Sequence, residues 1–249
     1  MRRTRPPCSS VNPTCGLVSD AAGTADMLRA MRDGLPPSVQ MGGHDCPDTA
    51  YLMSAYYRTD HHWRTDEAYL SYAEALSAMM PGATTAEVTD EREFASGFLG
   101  STVRLGLMLP NVADSIVDCR IDMSSLQVFV NGAEVAADRL DSWERYENMA
   151  FKRWSFTANY ANYFHSDYGF LEISNPAAQS QDSLLIVGSS YTNCMERFFA
   201  ANYAHVYKID GRYTDLLADD FLADHPEIRQ VLIVGQAPPI LVGALASNA

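Results

Sequence analysis

The sequence has few cysteines, and they are scattered. Five occur in 249 residues, at positions 8, 15, 46, 119 and 194. No two of them have the Cys-x-x-Cys spacing of a zinc ribbon or a thioredoxin-type redox site, so neither site type is predicted. The odd number leaves at least one thiol unpaired, which argues against a disulfide framework.

Long apolar runs are also missing. No stretch approaches the roughly 18 apolar residues of a membrane-spanning helix. The longest apolar-rich segment, 68–80, contains a glutamate and has helical periodicity. The basic start, MRRTRPPCSS, has no apolar segment after it and is not a signal peptide. The residues therefore predict no membrane-spanning segment, and either a cytosolic protein or a chain that lacks the front end of a longer one.

Positive charge is scarce. The chain has 18 Lys and Arg against 31 Asp and Glu, a formal net charge of −13. Such a field repels polyanions, and the one dense basic cluster, at 1–5, is too short to overcome it. Nucleic acid is therefore excluded as a partner. No G-x-G-x-x-G motif or P-loop lysine is present, so no nucleotide is predicted, and no cofactor or metal is assigned.

The last third of the chain predicts an α/β fold with a parallel sheet. Short apolar runs at 183–188, 205–209 and 231–235 alternate with helical patterns at 193–203 and 214–224. This β-α-β-α-β order is typical of a parallel sheet covered by helices.

The first two thirds are less regular. Residues 1–23 predict loop. One helix is predicted at 24–33, capped by Thr24, and another begins at a cap on Thr65 and ends at Pro81-Gly82. Residues 94–176 predict an irregular β-rich insertion, with a hairpin turn at Asn131-Gly132. Within it, the aromatic segment 151–176 is interpreted as loops or short strands over a site.

Ser190 is a candidate nucleophile because it follows the apolar strand 183–188 and precedes a helix. Ligands and nucleophiles in open α/β sheets lie at the carboxyl ends of strands, and amides at a helix start can hold a developing oxyanion. Gly188 and Ser189 allow a tight turn. The competing interpretation is an ordinary turn or capping serine, and the segment lacks the second glycine of a G-x-S-x-G elbow.

Asp60 and His62, in YYRTDHHW, offer the base and orienter that a serine nucleophile needs. Residues i and i+2 of an extended chain point to the same side, so the carboxylate can reach the imidazole. Two alternatives remain. The loop could be structural, or Asp60, His61 and His62 could bind a metal ion. We expect His61 and His62 to point to opposite sides, which makes the metal site awkward.

A family resemblance joins these segments. YYRTDHHW followed by TDEAYLSY, then FASGFLGS, FLEISNP, LLIVGSSYTNCMERFFAANYAHVYKIDGRY and VLIVG, resemble in order the bacterial DHHW-motif proteins. These are related to the alginate O-acetyltransferase-like branch of the SGNH-hydrolase superfamily. The resemblance runs from about residue 20 to 236. It implies a single domain over 1–249, a three-layer α/β/α, flavodoxin-like SGNH fold.

The resemblance also implies roles for residues. Ser190 would be the nucleophile, His62 the base and Asp60 the orienter. Arg58, Tyr191, Asn193 and Arg212 would line the substrate pocket, with Arg212 facing an anionic group. Packing is the expected role of Trp63, and Asn175 and Asn193 are candidates for an oxyanion donor. The usual SGNH block has Asp before the nucleophilic serine, where this chain has Ser189.

The implied function is an SGNH-type serine esterase or O-acetyltransferase. Its substrates would be acetylated carbohydrate or an acetyl donor, in the cell envelope or outside the cell. Because the chain opens close to where the family's first strand should end, we expect it to lack that strand. The alternative function is an inactive SGNH-like module that binds carbohydrate or a partner through the aromatic segment.

Overall fold

The structure is a computed structural model, and it describes residues 21–42, 49–105, 113–141, 143, 159–165 and 167–235. The described helices are α1 (Ala21–Gly34), α2 (Thr49–Ala55), α3 (Thr65–Met79), α4 (Ser101–Leu105), α5 (Asn159–Tyr163), α6 (Glu196–Ala200) and α7 (Ala218–Asp224). The strands are β1 (Asp90–Phe98), β2 (Asp114–Arg120), β3 (Gln127–Val130), β4 (Ala133–Val135), β5 (Phe170–Ser174), β6 (Ser180–Gly188), β7 (Tyr203–Ile209) and β8 (Gln230–Val234). Two short 3₁₀ turns cover Ala137–Leu140 and Ser190–Thr192.

Six of these strands form one mixed sheet in the order β4-β3-β5-β7-β6-β8. β6 is parallel to both β7 and β8, whereas β3, β4 and β5 join by antiparallel pairing. The α/β class is confirmed. The prediction of a parallel sheet holds only for β7-β6-β8, because β5, β3 and β4, from the irregular region 94–176, extend the same sheet by antiparallel pairing.

The remaining two strands, β1 and β2, form a separate antiparallel ribbon. The predicted hairpin is present between β3 and β4, with Asn131 at φ 49° and Gly132 at φ 80°. Two successive positive φ angles are what a type I′ turn requires, and Asn-Gly supplies them at low cost.

α3 shows how local sequence sets a helix. Asp66 and Glu67 lie in its first turn, and it ends one residue before Met80, next to Pro81-Gly82. Thr65 is its first helical residue and is buried, so the predicted capping role is wrong; Arg64 occupies the cap position. Tyr72 and Leu76 turn inward and pack in the main core against the aromatic side of α6.

α6 brings two adjacent charged side chains, Glu196 and Arg197, into this core. Arg197 is fully buried and pairs with Asp118 of β2, and its guanidinium also donates to the carbonyls of Leu140 (2.9 Å) and Cys119 (3.1 Å). Tyr163 donates to the same carboxylate at 2.6 Å. The Arg197–Asp118 ion pair links α6 to the ribbon.

None of the helices within the described ranges is long and apolar enough to cross a membrane.

We expect Arg197→Met to lower the free energy of unfolding by about 3–5 kcal/mol, because it leaves the Asp118 carboxylate buried without its cation. Urea denaturation would measure the loss. Arg29→Met is the matched control, since Arg29 pairs with Asp26 on the exposed face of α1, where ion pairs contribute little. Equal stability of the two variants would contradict the assignment.

Candidate active site

Ser190 begins the 3₁₀ turn that follows β6, at the carboxyl end of the central parallel strand. Ser189 before it is extended, and Ser190 is 8% exposed. Gly188 is required at the end of β6, because a Cβ there would lie 2.5 Å from Thr192 Cγ2 and 2.9 Å from the Val234 carbonyl oxygen. The strand therefore delivers Ser190 to the sheet edge through a tight turn.

Asp60 and His62 lie on a short loop whose ends are held together. Tyr56 bridges Trp63, and the Arg64 amide donates to the Ala55 carbonyl at 2.9 Å. Asp114 of β2 fixes the middle of the loop: its carboxylate accepts from the Arg58 amide at 3.0 Å and from both the amide and the hydroxyl of Thr59 at 2.6 Å.

The structure brings Ser190, His62 and Asp60 into one hydrogen-bonded array. His62 Nε2 lies 2.8 Å from Ser190 Oγ, and His62 Nδ1 lies 2.5 Å from Asp60 Oδ1. All three residues are buried. With Asp60 ionised, Nδ1 carries the proton and donates to the carboxylate, so Nε2 can accept the Ser190 proton. The array therefore has the connectivity of a nucleophile, a base and an orienter.

Two further amides hold the Asp60 carboxylate. The Ser101 amide donates to Oδ2 at 2.7 Å, and the His62 amide donates to Oδ1 at 3.0 Å. Burial alone would raise the pKa of Asp60, but the hydrogen bond and charge of the His62 ring, with these amides, lower it well below its ordinary value. Asp60 is therefore ionised at neutral pH.

Gly100 leaves the space in which Asp60 sits. A Cβ at Gly100 would lie 2.5 Å from Asp60 Oδ2 and 2.6 Å from the Thr59 carbonyl oxygen. The Gly100 amide also donates to Thr59 Oγ1 at 3.0 Å. No local pattern in FASGFLGS predicts the contacts of Gly100 and Ser101, because their hydrogen bonds join residues 41 positions apart in the chain.

Aromatic rings fix the His62 imidazole. Tyr160 of α5 stacks on it with ring centroids 3.7 Å apart and planes at 4°, and His61 lies 3.9 Å away with a tilt of 37°. The Tyr160 hydroxyl donates to the Ser190 carbonyl at 3.2 Å. Part of the aromatic segment 151–176 therefore does lie over the site, while residues 151–158 and 166 fall outside the described part of the chain.

The neighbouring histidines do not point to opposite sides as expected. Their rings are close, and potential ligand atoms of Asp60, His61 and His62 lie within 4.8 Å of one another. Both nitrogens of His62 are nevertheless engaged by Asp60 and Ser190. A metal ion would have to break one of those hydrogen bonds, so the donor set fits the serine array better than a metal site.

The four residues predicted to line the substrate pocket lie in different surroundings. Tyr191 follows Ser190, and its hydroxyl donates to the His61 carbonyl at 2.6 Å. Asn193 is buried, with its amide group donating to Asp167 at 3.1 Å and accepting from Lys208 at 2.5 Å. Arg212 forms ion pairs with Asp210 at 2.6 Å and Asp167 at 3.3 Å. Arg58 lines a cleft that none of the Ser190, His62 and Asp60 side chains lines.

Two other residues have structural contacts. Trp63 donates from Nε1 to the Tyr191 carbonyl at 2.9 Å and packs against that ring, as expected. Asn175 follows β5, which runs antiparallel to β7, so it lies at the sheet edge opposite Ser190. Its amide nitrogen donates to the Ala200 carbonyl at 2.8 Å. The proposal of Asn175 as an oxyanion donor is therefore wrong.

A scan against family models matches residues 49–209 to the family described as DHHW protein. The match covers Asp60, His62, Gly100 and Ser190. A search of curated proteins returns no match.

The fold is similar to solved structures at low sequence identity. A DHHW family protein from Eubacterium siraeum DSM 15702 is 21% identical, with a TM-score of 0.55 over 73% of this chain, and the chain spans 59% of that protein. PatB1 from Bacillus cereus, solved alone and with a sulfonyl adduct, is 17% identical, with a TM-score of 0.62 in both cases. The match covers 90% of this chain and 77% of PatB1 alone, and 92% and 79% for the adduct. At these identities the likeness shows a shared fold.

We expect Gly100→Ala to destabilise the protein by about 1–3 kcal/mol, because the added methyl overlaps Asp60 and backbone atoms that are themselves fixed. Urea denaturation would measure the change. Gly34→Ala is the control, since a Cβ at Gly34 meets nothing within 4 Å. A Gly100→Ala protein as stable as the Gly34→Ala protein would contradict the close packing.

The lowered pKa of Asp60 predicts a pH-dependent contribution to stability. A carboxyl group whose folded pKa lies below its unfolded value stabilises the protein above about pH 4, and this contribution is lost as the pH falls toward the folded pKa. Asp60→Asn should therefore be less stable than wild type at pH 7, and the difference should narrow below about pH 4. Urea titrations from pH 7 to 3 would measure it, with the exposed Asp26→Asn as control. A difference independent of pH would contradict the prediction.

Proposed function

The chain belongs to the DHHW protein family, and from that premise we propose that it is a serine esterase or O-acyltransferase in which Ser190, His62 and Asp60 form the catalytic triad. The observation that carries the proposal is the unbroken array from Ser190 Oγ through His62 to Asp60, at 2.8 and 2.5 Å. Hydrogen bonds of this length and order are what a serine needs to be activated by a neighbouring base.

Each residue has one role in the proposed reaction. His62 Nε2 removes the Ser190 proton as Oγ attacks the ester carbonyl, and Asp60 stabilises the imidazolium that forms. The imidazolium then protonates the departing alcohol, which leaves an acyl group on Ser190. Water or an acceptor hydroxyl gives its proton to His62 and attacks the acyl group, and Ser190 regains its proton.

The oxyanion has a donor in the turn itself. The amide of Ser190 is the first of the 3₁₀ turn, so it has no carbonyl partner within that turn. This N–H belongs to the proposed nucleophilic residue itself, and such an amide is a common oxyanion donor in serine acyl-transfer sites. We assign it the role that Asn175 cannot take.

The substrate class follows from the family resemblance. We propose an SGNH-type domain that acts on acetyl esters of carbohydrate in the cell envelope or outside the cell. The sulfonyl adduct of PatB1 is consistent with nucleophile chemistry in this fold, because sulfonyl groups attach to nucleophilic side chains. That adduct belongs to PatB1, and its relevance to Ser190 is part of the proposal.

The alternative of a non-catalytic binding module loses part of its motivation. Its motivation was the aromatic-rich segment 151–170, whose rings could stack on sugars, together with the missing Asp before Ser190. The aromatic residues described there are Tyr160, Tyr163, Phe164, Tyr168 and Phe170. The first four are buried, and Phe170 is half-buried against Tyr207 and Phe221. They build the core and support His62.

We expect Ser190→Ala to abolish release of 4-nitrophenol from 4-nitrophenyl acetate, with a loss in kcat on the order of 10⁴-fold or more. The Ser190→Ala protein should remain folded, since the side chain it loses is small. The matched control is Ser189→Ala, which changes the neighbouring serine of the same turn and should keep Ser190-dependent release. Equal rates in wild type and Ser190→Ala would reject the catalytic triad.

A further inference from the structure

His61 stands beside the proposed base and takes no part in the triad. Its Nδ1 lies 2.6 Å from Ser101 Oγ, and its ring centroid lies 3.9 Å from that of His62. The His61 side chain is 44% exposed, whereas that of His62 is 8% exposed. Since Tyr160 stacks on His62 from the buried side, His61 lies on the open side of the same imidazole.

His61 is held in place by two hydrogen bonds. The Tyr191 hydroxyl donates to its carbonyl oxygen at 2.6 Å. Its side chain contacts Ser101 at the start of α4, and Ser101 is itself fixed because its amide donates to Asp60. A half-exposed histidine without a role would gain nothing from such constraint, since fixing a rotamer costs conformational entropy.

The surroundings decide which nitrogen of His61 carries the proton. Asp60 Oδ1 lies 3.6 Å from His61 Nδ1, and a nearby carboxylate favours a proton on that nitrogen. Nδ1 then donates to Ser101 Oγ, and Nε2 carries a lone pair. Burial, together with the charge of His62, lowers the pKa of His61, so the ring is neutral at neutral pH.

Both histidine rings turn Nδ1 toward Asp60 Oδ1, at 2.5 Å for His62 and 3.6 Å for His61, so Nε2 of each ring lies on the side away from that oxygen. No residue in the described ranges gives His61 Nε2 a hydrogen-bond partner. In the acyl-enzyme, Ser190 Oγ is bonded to the acyl group, so His62 Nε2 also loses its partner. Two neighbouring imidazole nitrogens can then each accept a hydrogen bond from the alcohol that attacks the acyl group.

We propose that His61 is a specificity-determining residue that selects acyl acceptors with two neighbouring hydroxyl groups, such as the diols of a carbohydrate. One hydroxyl donates to His62 Nε2 and is the group that reacts, while its neighbour donates to His61 Nε2. The reacting hydroxyl gives its proton to His62, its oxygen bonds to the acyl carbon, and the bond from that carbon to Ser190 Oγ breaks. Water and isolated hydroxyls have no second group for His61.

This inference rests on the proposed acyl-enzyme. It is tested by how that intermediate partitions between transfer to an alcohol and hydrolysis by water. The acyl-enzyme is formed from 4-nitrophenyl acetate in the presence of ethylene glycol or its monomethyl ether, 2-methoxyethanol. The ether keeps one hydroxyl and lacks the second donor. The ratio of acetyl ester to acetate produced, per hydroxyl, is measured by chromatography. The ratio reports only on the acceptor step, because both products come from the same intermediate.

Wild type should transfer to the glycol about fivefold better than to the ether, the effect of one hydrogen bond to the acceptor. In His61→Phe, which keeps a ring beside His62 but no nitrogen, the two alcohols should become equivalent. His61→Gln, which keeps a polar group near the position of Nε2, should restore part of the preference. His225→Phe changes a histidine that pairs with Glu227 away from the site and should keep the full preference.

The outcomes separate this inference from the proposed function. Acetyl release that depends on Ser190, with the same glycol preference in wild type and His61→Phe, overturns the inference alone. Release into water with no transfer to either alcohol also overturns it. Absence of Ser190-dependent release overturns the proposed function and this inference with it.

Discussion

The carboxylate of Asp60 joins three parts of the chain that are distant in sequence. It accepts hydrogen bonds from the ring and amide of His62 and from the amide of Ser101 at the start of α4. Through His62 it also reaches Ser190 at the end of β6. Burying a carboxylate is costly unless it is fully hydrogen-bonded, so each of these contacts is needed if the others are to persist.

Gly100 shows how little space surrounds the Asp60 carboxylate. The carboxylate is approached so closely by the 99–101 backbone that no side chain fits between them. Tyr160 closes the remaining face of His62, and its hydroxyl reaches the Ser190 carbonyl. The proposed base, His62, is therefore aligned by contacts from the loop, from α4 and from α5 before any substrate is bound, which is the preorganisation that the proposed acid–base catalysis requires.

The turn that begins at Ser190, the proposed nucleophile, is stabilised by a different set of contacts around a buried ion pair. Glu196, the first residue of α6, pairs with Lys208 of β7 at 2.7 Å, and both side chains are fully buried. Thr192 donates to the same glutamate at 2.9 Å, and Lys208 donates to Asn193 at 2.5 Å. The turn after Ser190 is thus hydrogen-bonded to a charge pair that is itself anchored in the sheet. A buried pair tolerates little displacement, because moving either partner leaves an unpaired charge.

Local sequence was enough to predict some of these features. The apolar run of β6, the Asn131-Gly132 turn, and the Asp-x-His spacing each depend on residues close in the chain. The remaining features depend on contacts across long distances in sequence. The joining of β3 and β5 to the sheet, the fit of Gly100 against Asp60, and the stacking of Tyr160 on His62 have no local periodicity. The orientation of His61 was predicted wrongly because the loop is bent by Asp114 rather than extended.

The charge around the site bears on the acceptor. Arg212 was expected to meet an anionic group, but its guanidinium already pairs with Asp210 and Asp167. A further anion there would meet a cluster with more negative than positive charge, within a chain whose net charge is −13. Such a field disfavours approach by a polyanion. Arg212 and Asp167 both act on the pKa of His61, so this cluster contributes to the electrostatic field at that ring. A neutral, hydroxyl-rich acceptor suits this field, because its hydroxyls can donate to His61 Nε2 without adding charge.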